Sequence, residues 1–172
     1  AARWAPRLAA LPEPRLAVLI GGPGRMARWE ADAPRRLREA LAALAAGGWT
    51  LLVTASRRTP PTLLSALGAA LDPGRHLLHA GGGENPYPAI LGLSAAVLVT
   101  EDSVNMASEA ASSGLPLHVF RTGRASRKAR RFHESLAARG IARDFAGEID
   151  RWSYAPLAEA DRLAAEIEAR LL

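Results

Sequence analysis

Apolar and polar positions alternate in blocks along this chain. Short, mostly apolar runs of four or five residues fall at 16–20, 50–54, 76–79, 96–100 and 117–120, each bounded by glycine, proline or polar residues. Most carry valine or isoleucine, and such continuous runs are the pattern of parallel strands buried on both faces. Between them the apolar residues switch to helical spacing. Leu37, Leu41 and Leu44 mark a helix over 33–46 that stops at Gly47-Gly48, and Leu63, Leu67 and Leu71 mark one over 62–71. Further helices are predicted over 86–93, 103–113, 127–139 and 156–171. Strands alternating with helices imply an α/β domain, a doubly wound parallel sheet of the Rossmann-like kind, with its ligand edge at the strand C-termini. Residues 1–15 read as a lead-in or linker, 16–155 as the Rossmann-like domain, and 156–172 as a C-terminal helix. Within the domain, 141–155 reads as an irregular connection.

Length and composition narrow the function classes. At 172 residues and 18.2 kDa the chain is one domain of ordinary size. It opens on Ala1 rather than methionine, which leaves room for residues ahead of it. The absence of cysteine excludes disulfides, thiolate metal sites and a cysteine nucleophile. Aromatic residues make up 5%, too few for a stacking platform for single-stranded nucleic acid. No apolar run approaches the roughly 20 residues of a membrane span. Pro6, Pro12 and Pro14 break up any signal peptide, so the expected location is cytoplasmic. The net charge of +5 and pI near 10.8 come almost wholly from arginine, Lys128 being the only lysine. Arg121, Arg124, Arg127, Lys128, Arg130 and Arg131 cluster in one run. The ordinary reading of that run is a solvated helix face. The sharper one is an anionic partner, either phosphate groups or an anionic membrane surface at which the protein sits peripherally. Nucleic acid is not an expected partner.

The loops after the strands are where chemistry is expected. Gly21-Gly22-Pro23-Gly24 follows the first strand and could let a phosphate approach the backbone, with Arg25 and Arg28 at hand. It is neither a P-loop nor a full dinucleotide fingerprint, and an ordinary turn explains it about as well. After the second strand, Ser56, Arg57 and Arg58 present a hydroxyl and two guanidinium groups ahead of a helix start, where Thr59 is the expected cap. After the third, Gly81-Gly82-Gly83-Glu84-Asn85 suggests ligand contact or a mobile turn, with Asn85 capping the next helix. After the fourth, Asp102, Ser103, Val104 and Asn105 open a helix that carries Glu109 two turns in, on the face of Asn105 and Asp102. A carboxylate so placed can accept from vicinal ribose hydroxyls, although a lone surface glutamate is the commoner case. His76, His79, His118 and His133 show no metal-ligand spacing, and no metal site is expected.

Ser108-Glu109-Ala110-Ala111-Ser112-Ser113-Gly114-Leu115-Pro116 resembles the donor-site signature of GT-B glycosyltransferases. The nearest likeness there is the bacterial enzyme that adds N-acetylglucosamine to lipid-linked peptidoglycan precursors. A narrower resemblance rests on Val18 to Pro23, Leu52 to Pro61, Glu84 to Tyr87, Val99 to Ser103, Ser126 to Lys128, Arg131 to His133 and Trp152 to Tyr154. These look like the elongated-mitochondria fission-protein family, whose bacterial members are often labelled nucleoside-diphosphate-sugar epimerases and whose plant members act in mitochondrial division. The resemblance implies the C-terminal half of a two-domain GT-B-like protein, with an N-terminal α/β domain of the same full-length chain as its partner. It also implies a nucleotide-sugar donor substrate, UDP-linked, and no separate cofactor. On that reading Glu109 holds the ribose, and Arg57, Arg58 and the helix start at Ser103 hold the diphosphate, assisted by Arg127 and Lys128. Gly21, Gly22 and Gly24 lie near the diphosphate, and Pro23 is the departure, since it removes a backbone donor. The catalytic residues stay unassigned, and this half alone is expected to bind without turnover. The alternatives are a non-catalytic scaffold module and a nucleotide-sugar epimerase.

Overall fold

A computed structural model describes residues 3–156 apart from Met26. The predicted last helix lies outside the described residues. The six-stranded sheet is parallel throughout and comprises β1 (Arg15–Ile20), β3 (Thr50–Ala55), β4 (Leu77–His79), β5 (Ala96–Thr100), β6 (Leu117–Phe120) and β8 (Ala142–Asp144). Their order is β4-β3-β1-β5-β6-β8. The chain winds outward from β1 on one side, then returns to β5 and winds outward on the other. The switch point, where such sheets open a crevice, therefore lies between β1 and β5.

Side-chain alternation explains the layers. On β1, Ala17 and Leu19 face one core together with helices α1 (Trp4–Ala9), α4 (Tyr87–Leu93), α5 (Val104–Ala111) and α6 (Arg127–Ala138). Leu16, Val18 and Ile20 face the opposite core, closed by α2 (Ala33–Ala46) and α3 (Pro61–Ala70). Every residue of β1 is buried, as a central strand covered on both faces requires.

Three departures from the sequence expectation matter. Residues 1–15 are not merely a lead-in: α1 forms there and buries Leu8 completely. Pro6 is tolerated because it sits in the first turn, where its missing N–H has no partner to lose. The connection at 141–155 contains the sixth strand, β8. Finally, β2 (Ala27–Trp29) and β7 (Gly123–Ala125) pair antiparallel as a separate two-stranded ribbon. Its strands grow from the loops that follow β1 and β6, two strands that flank β5.

Candidate functional site

The switch crevice is occupied by the protein itself. Asp102, just beyond the end of β5, is almost fully buried, and its Oδ2 accepts the Gly22 N–H at 2.6 Å. Its Oδ1 accepts Trp29 Nε1–H at 3.0 Å, and Arg58 Nη2 lies 3.6 Å from Oδ2. Burial raises the Asp102 carboxyl above its ordinary range, against the pull of the Gly22, Thr100 and Trp29 donors and the Arg58 charge. The Gly21 N–H donates to Thr100 Oγ1 at 2.8 Å and the Gly24 N–H to the Ala27 carbonyl at 3.0 Å. All three glycine donors are thus engaged internally, and the loop is no vacant phosphate cradle. Glycine is needed there for close packing. A Cβ on Gly21 would lie 2.1 Å from Asp102 Oδ2, and one on Gly22 would lie 2.1 Å from the Arg58 carbonyl oxygen.

Glu101 performs the matching task on the other side. Its Oε1 accepts from the Thr122 N–H at 2.9 Å, the Gly123 N–H at 2.7 Å and Thr122 Oγ1 at 3.2 Å. Its backbone carbonyl accepts His133 Nε2–H at 2.8 Å. Consecutive acids at one strand end therefore hold the two strands of the ribbon, Asp102 the β2 side and Glu101 the β7 side. Sequence reasoning assigned no role to Glu101, Trp29 or Thr122. The available signal was a pair of adjacent acids directly after a fully buried strand.

The remaining candidates divide into spent and open groups. Thr59 does not cap α3, whose cap position is Pro60. Its hydroxyl instead reaches the Ile20 and Gly21 carbonyl oxygens, tying the β3–α3 loop to the β1 loop. Ser56 Oγ accepts the Arg58 N–H at 3.1 Å within the same loop. Arg121, counted with the basic run, is paired with carboxylates, the exposed Asp144 at 2.7 Å and the buried Glu101 at 3.4 Å. By contrast Arg57, Asn105, Glu109, Arg127 and Lys128 are exposed, and Val104 is half-buried. Ser103 is buried at the start of α5 and makes no side-chain capping bond there. The first amides of α5 therefore receive no side-chain cap, a setting suited to an anion.

Tyr87, the first residue of α4, joins this site. Its hydroxyl donates to the Met106 carbonyl at 3.3 Å and lies beside Glu109. Burial, then the Glu109 charge, raises the phenol, so it stays protonated as a donor. Asn85 Oδ1 accepts the Tyr87 N–H at 3.0 Å, a turn one position ahead of the α4 cap, which is Pro86 and not Asn85 as expected. The histidines lie elsewhere or inside the fold: His76 Nδ1 accepts the Leu51 N–H at 3.0 Å, and His118 stacks edge-on to Trp152 with ring centroids 4.9 Å apart. Among the described residues no helix is long and apolar enough to cross a membrane.

The family described as Mitochondrial fission ELM1 matches residues 1–171. The "Mitochondrial fission protein ELM1" of Arabidopsis thaliana is 34% identical over 99% of this chain and 41% of its own length. An uncharacterized protein of Rickettsia prowazekii, RP120, is 35% identical over 69% of this chain and 36% of its own length. The chain thus spans about two-fifths of the length of these curated relatives. Among solved structures, the molybdenum cofactor carrier protein of Chlamydomonas matches with a TM-score of 0.52 at 15% identity, over 89% of this chain and 99% of that one. The glycotransferase of kitacinnamycin matches with a TM-score of 0.49 at 20% identity, over 91% of this chain and 34% of that one. These structural likenesses concern the fold.

Proposed function

This chain belongs to the mitochondrial fission ELM1 family, and from that premise and the site geometry we propose that it is the donor-binding part of a glycosyltransferase-like protein, taking a nucleoside-diphosphate sugar. The observation that carries the proposal is the layout of α5. At its N-terminus, on the ligand edge of the sheet, the first amides lack a side-chain cap, and Glu109 stands exposed on the same helix beside the Tyr87 phenol. Val104 and Glu109 are five residues apart, about 7.5 Å along a helix axis, a span that a ribose and its phosphates can bridge. In this reading the α5 amides and Arg57 hold the diphosphate, while Glu109 accepts from the ribose hydroxyls. Holding a nucleoside diphosphate against positive groups is the stabilisation that a departing nucleotide needs when a sugar is transferred. The Gly21–Gly24 loop has a different task here: it packs around Asp102 and sets the position of α5. No proton-transfer step is assigned to these residues.

Isothermal calorimetry with UDP and UDP-sugars, on this chain and on Glu109→Ala, tests the proposal. Loss of a charged acceptor should weaken binding about 10- to 100-fold. Equal affinity in the variant, or no binding by the parent chain, would reject it.

A further inference from the structure

The loop between β4 and α4 does not hold itself in place. Gly81, Gly82 and Gly83 all have positive φ, at 104°, 82° and 67°, and a Cβ on any of them would meet open space. No backbone hydrogen bond ties these three glycines to the described residues. Glycine loses more freedom on ordering than any other residue, so a run of three needs its ends fixed from outside. Both ends meet the same side chain, Trp4 of α1. At the near end the Trp4 ring stands edge-on to His79, the last residue of β4, with centroids 6.0 Å apart. At the far end Trp4 Nε1–H donates to the Glu84 carbonyl, 80 positions away in the chain, at 3.0 Å. Arg7, one turn further along α1, sets its guanidinium carbon 5.2 Å from the centre of the indole and steadies it.

Past the far end lies the candidate site. Glu84 leads to Asn85, whose Oδ1 accepts the Tyr87 N–H at 3.0 Å, and so to the phenol that donates to the Met106 carbonyl at 3.3 Å beside Glu109. Trp4, Tyr87 and Met106 also pack against one core. We propose that Trp4 is a positioning residue for the α5 site. By gripping both ends of the glycine loop it holds the segment 84–87, and with it the Tyr87 phenol, against Glu109. This rests on the reading of α5 as a ligand site. The indole N–H carries the directional part of the grip, since ring contacts alone do not fix where the Glu84 carbonyl sits. A coupling free energy is reciprocal, so a ligand that needs Tyr87 in place also tightens α1 on the loop.

Trp4→Phe keeps a ring against His79 and the core and loses only the N–H. Hydrogen exchange on the ligand-free protein should show the segment 84–87 exchanging about 3- to 10-fold faster in this variant, as the loss of one ordinary hydrogen bond requires. Calorimetric UDP affinity should fall about 2- to 10-fold, because part of the binding-competent population is lost. In the parent chain UDP should slow exchange across Trp4–Ala9, and that response should vanish in Trp4→Phe. A tryptophan that merely stabilised the fold would give α1 no response to UDP, and that result in the parent would overturn the proposal without any variant. Parent exchange rates in Trp4→Phe, or parent UDP affinity alongside faster exchange, would also overturn it while leaving the α5 reading standing. Absence of UDP binding by the parent chain would reject the α5 reading and the positioning role with it, and the exchange measured without ligand tells the two failures apart.

Discussion

Removing the Glu101 carboxylate should detach one side of the ribbon, and the cost can be worked out from its contacts. In Glu101→Ala the Thr122 N–H loses its acceptor at a fully buried position, and the Gly123 N–H loses one at a half-buried position. A buried donor left without a partner costs about 1–3 kcal/mol. The half-buried donor recovers part of this by meeting water, and the Thr122 hydroxyl can rotate to another partner. The Arg121 contact at 3.4 Å adds little, because that guanidinium is 41% exposed. The total is about 2–4 kcal/mol, or roughly 5–15 °C in melting temperature for a chain of this size. Glu101→Gln is the informative companion. Its amide oxygen can still accept all three hydrogen bonds at Oε1, so it should stay within about 1 kcal/mol of the parent. Urea unfolding followed by tryptophan fluorescence measures both. Two results would refute the reasoning: an alanine variant within about 0.5 kcal/mol of the parent, or a glutamine variant as damaged as alanine. The second would move the effect from hydrogen bonding to charge.

Two further outcomes follow from the same geometry. Gly21→Ala places a methyl 2.1 Å from Asp102 Oδ2, which is itself held by Gly22, so it should cost about 3 kcal/mol; an unchanged thermal midpoint would show that the crevice can open. The second concerns pH. Burial, the leading cause in each case, holds His76, His118 and His133 below the ordinary histidine value. A group depressed in the folded state contributes stability that is present above its unfolded value of about 6.5 and lost as pH falls. Urea stability should therefore drop from pH 7.5 to 5.5, and His118→Phe should flatten the slope. Asp102, raised by burial, acts in the opposite sense at lower pH, which is why the comparison with His118→Phe is needed. A slope equal to the parent's in that variant would reject the assignment.

The parts of the fold visible in the sequence are those with a long hydrophobic period. The helix over Ala33–Ala46 and the strands over Ala96–Thr100 and Leu117–Phe120 appear at their expected bounds, because core burial and local pattern agree there. The three strands that escaped notice are Ala-Arg-Trp, Gly-Arg-Ala and Ala-Arg-Asp, three residues each, and none carries an apolar run. The pairing of β2 with β7 joins segments almost a hundred positions apart, and no local pattern encodes that. The same limit governed the site. Glu109, Asn105 and the start of α5 could be placed from helical spacing. The roles of Glu101 and Asp102 depend on donors brought in from the loops after β1 and β6, which only the folded sheet puts within reach.

Asp102 also changes how the glycine-rich loop should be understood. A loop of small residues at a switch point invites a phosphate because its N–H groups face outward and its backbone leaves room. Here the room is filled by a carboxylate from the neighbouring strand, which takes the Gly22 donor, while Thr100 takes that of Gly21. An external phosphate at that position would face a buried carboxylate and would have to dislodge the anchor of β2. The glycines are required all the same, since the carboxylate and the Arg58 carbonyl lie where Cβ atoms would be. A glycine-rich loop in this fold can therefore be demanded by an internal anion. The cations that such a loop would ordinarily accompany, Arg25 and Arg28, line an open cleft on the outer side of the ribbon instead.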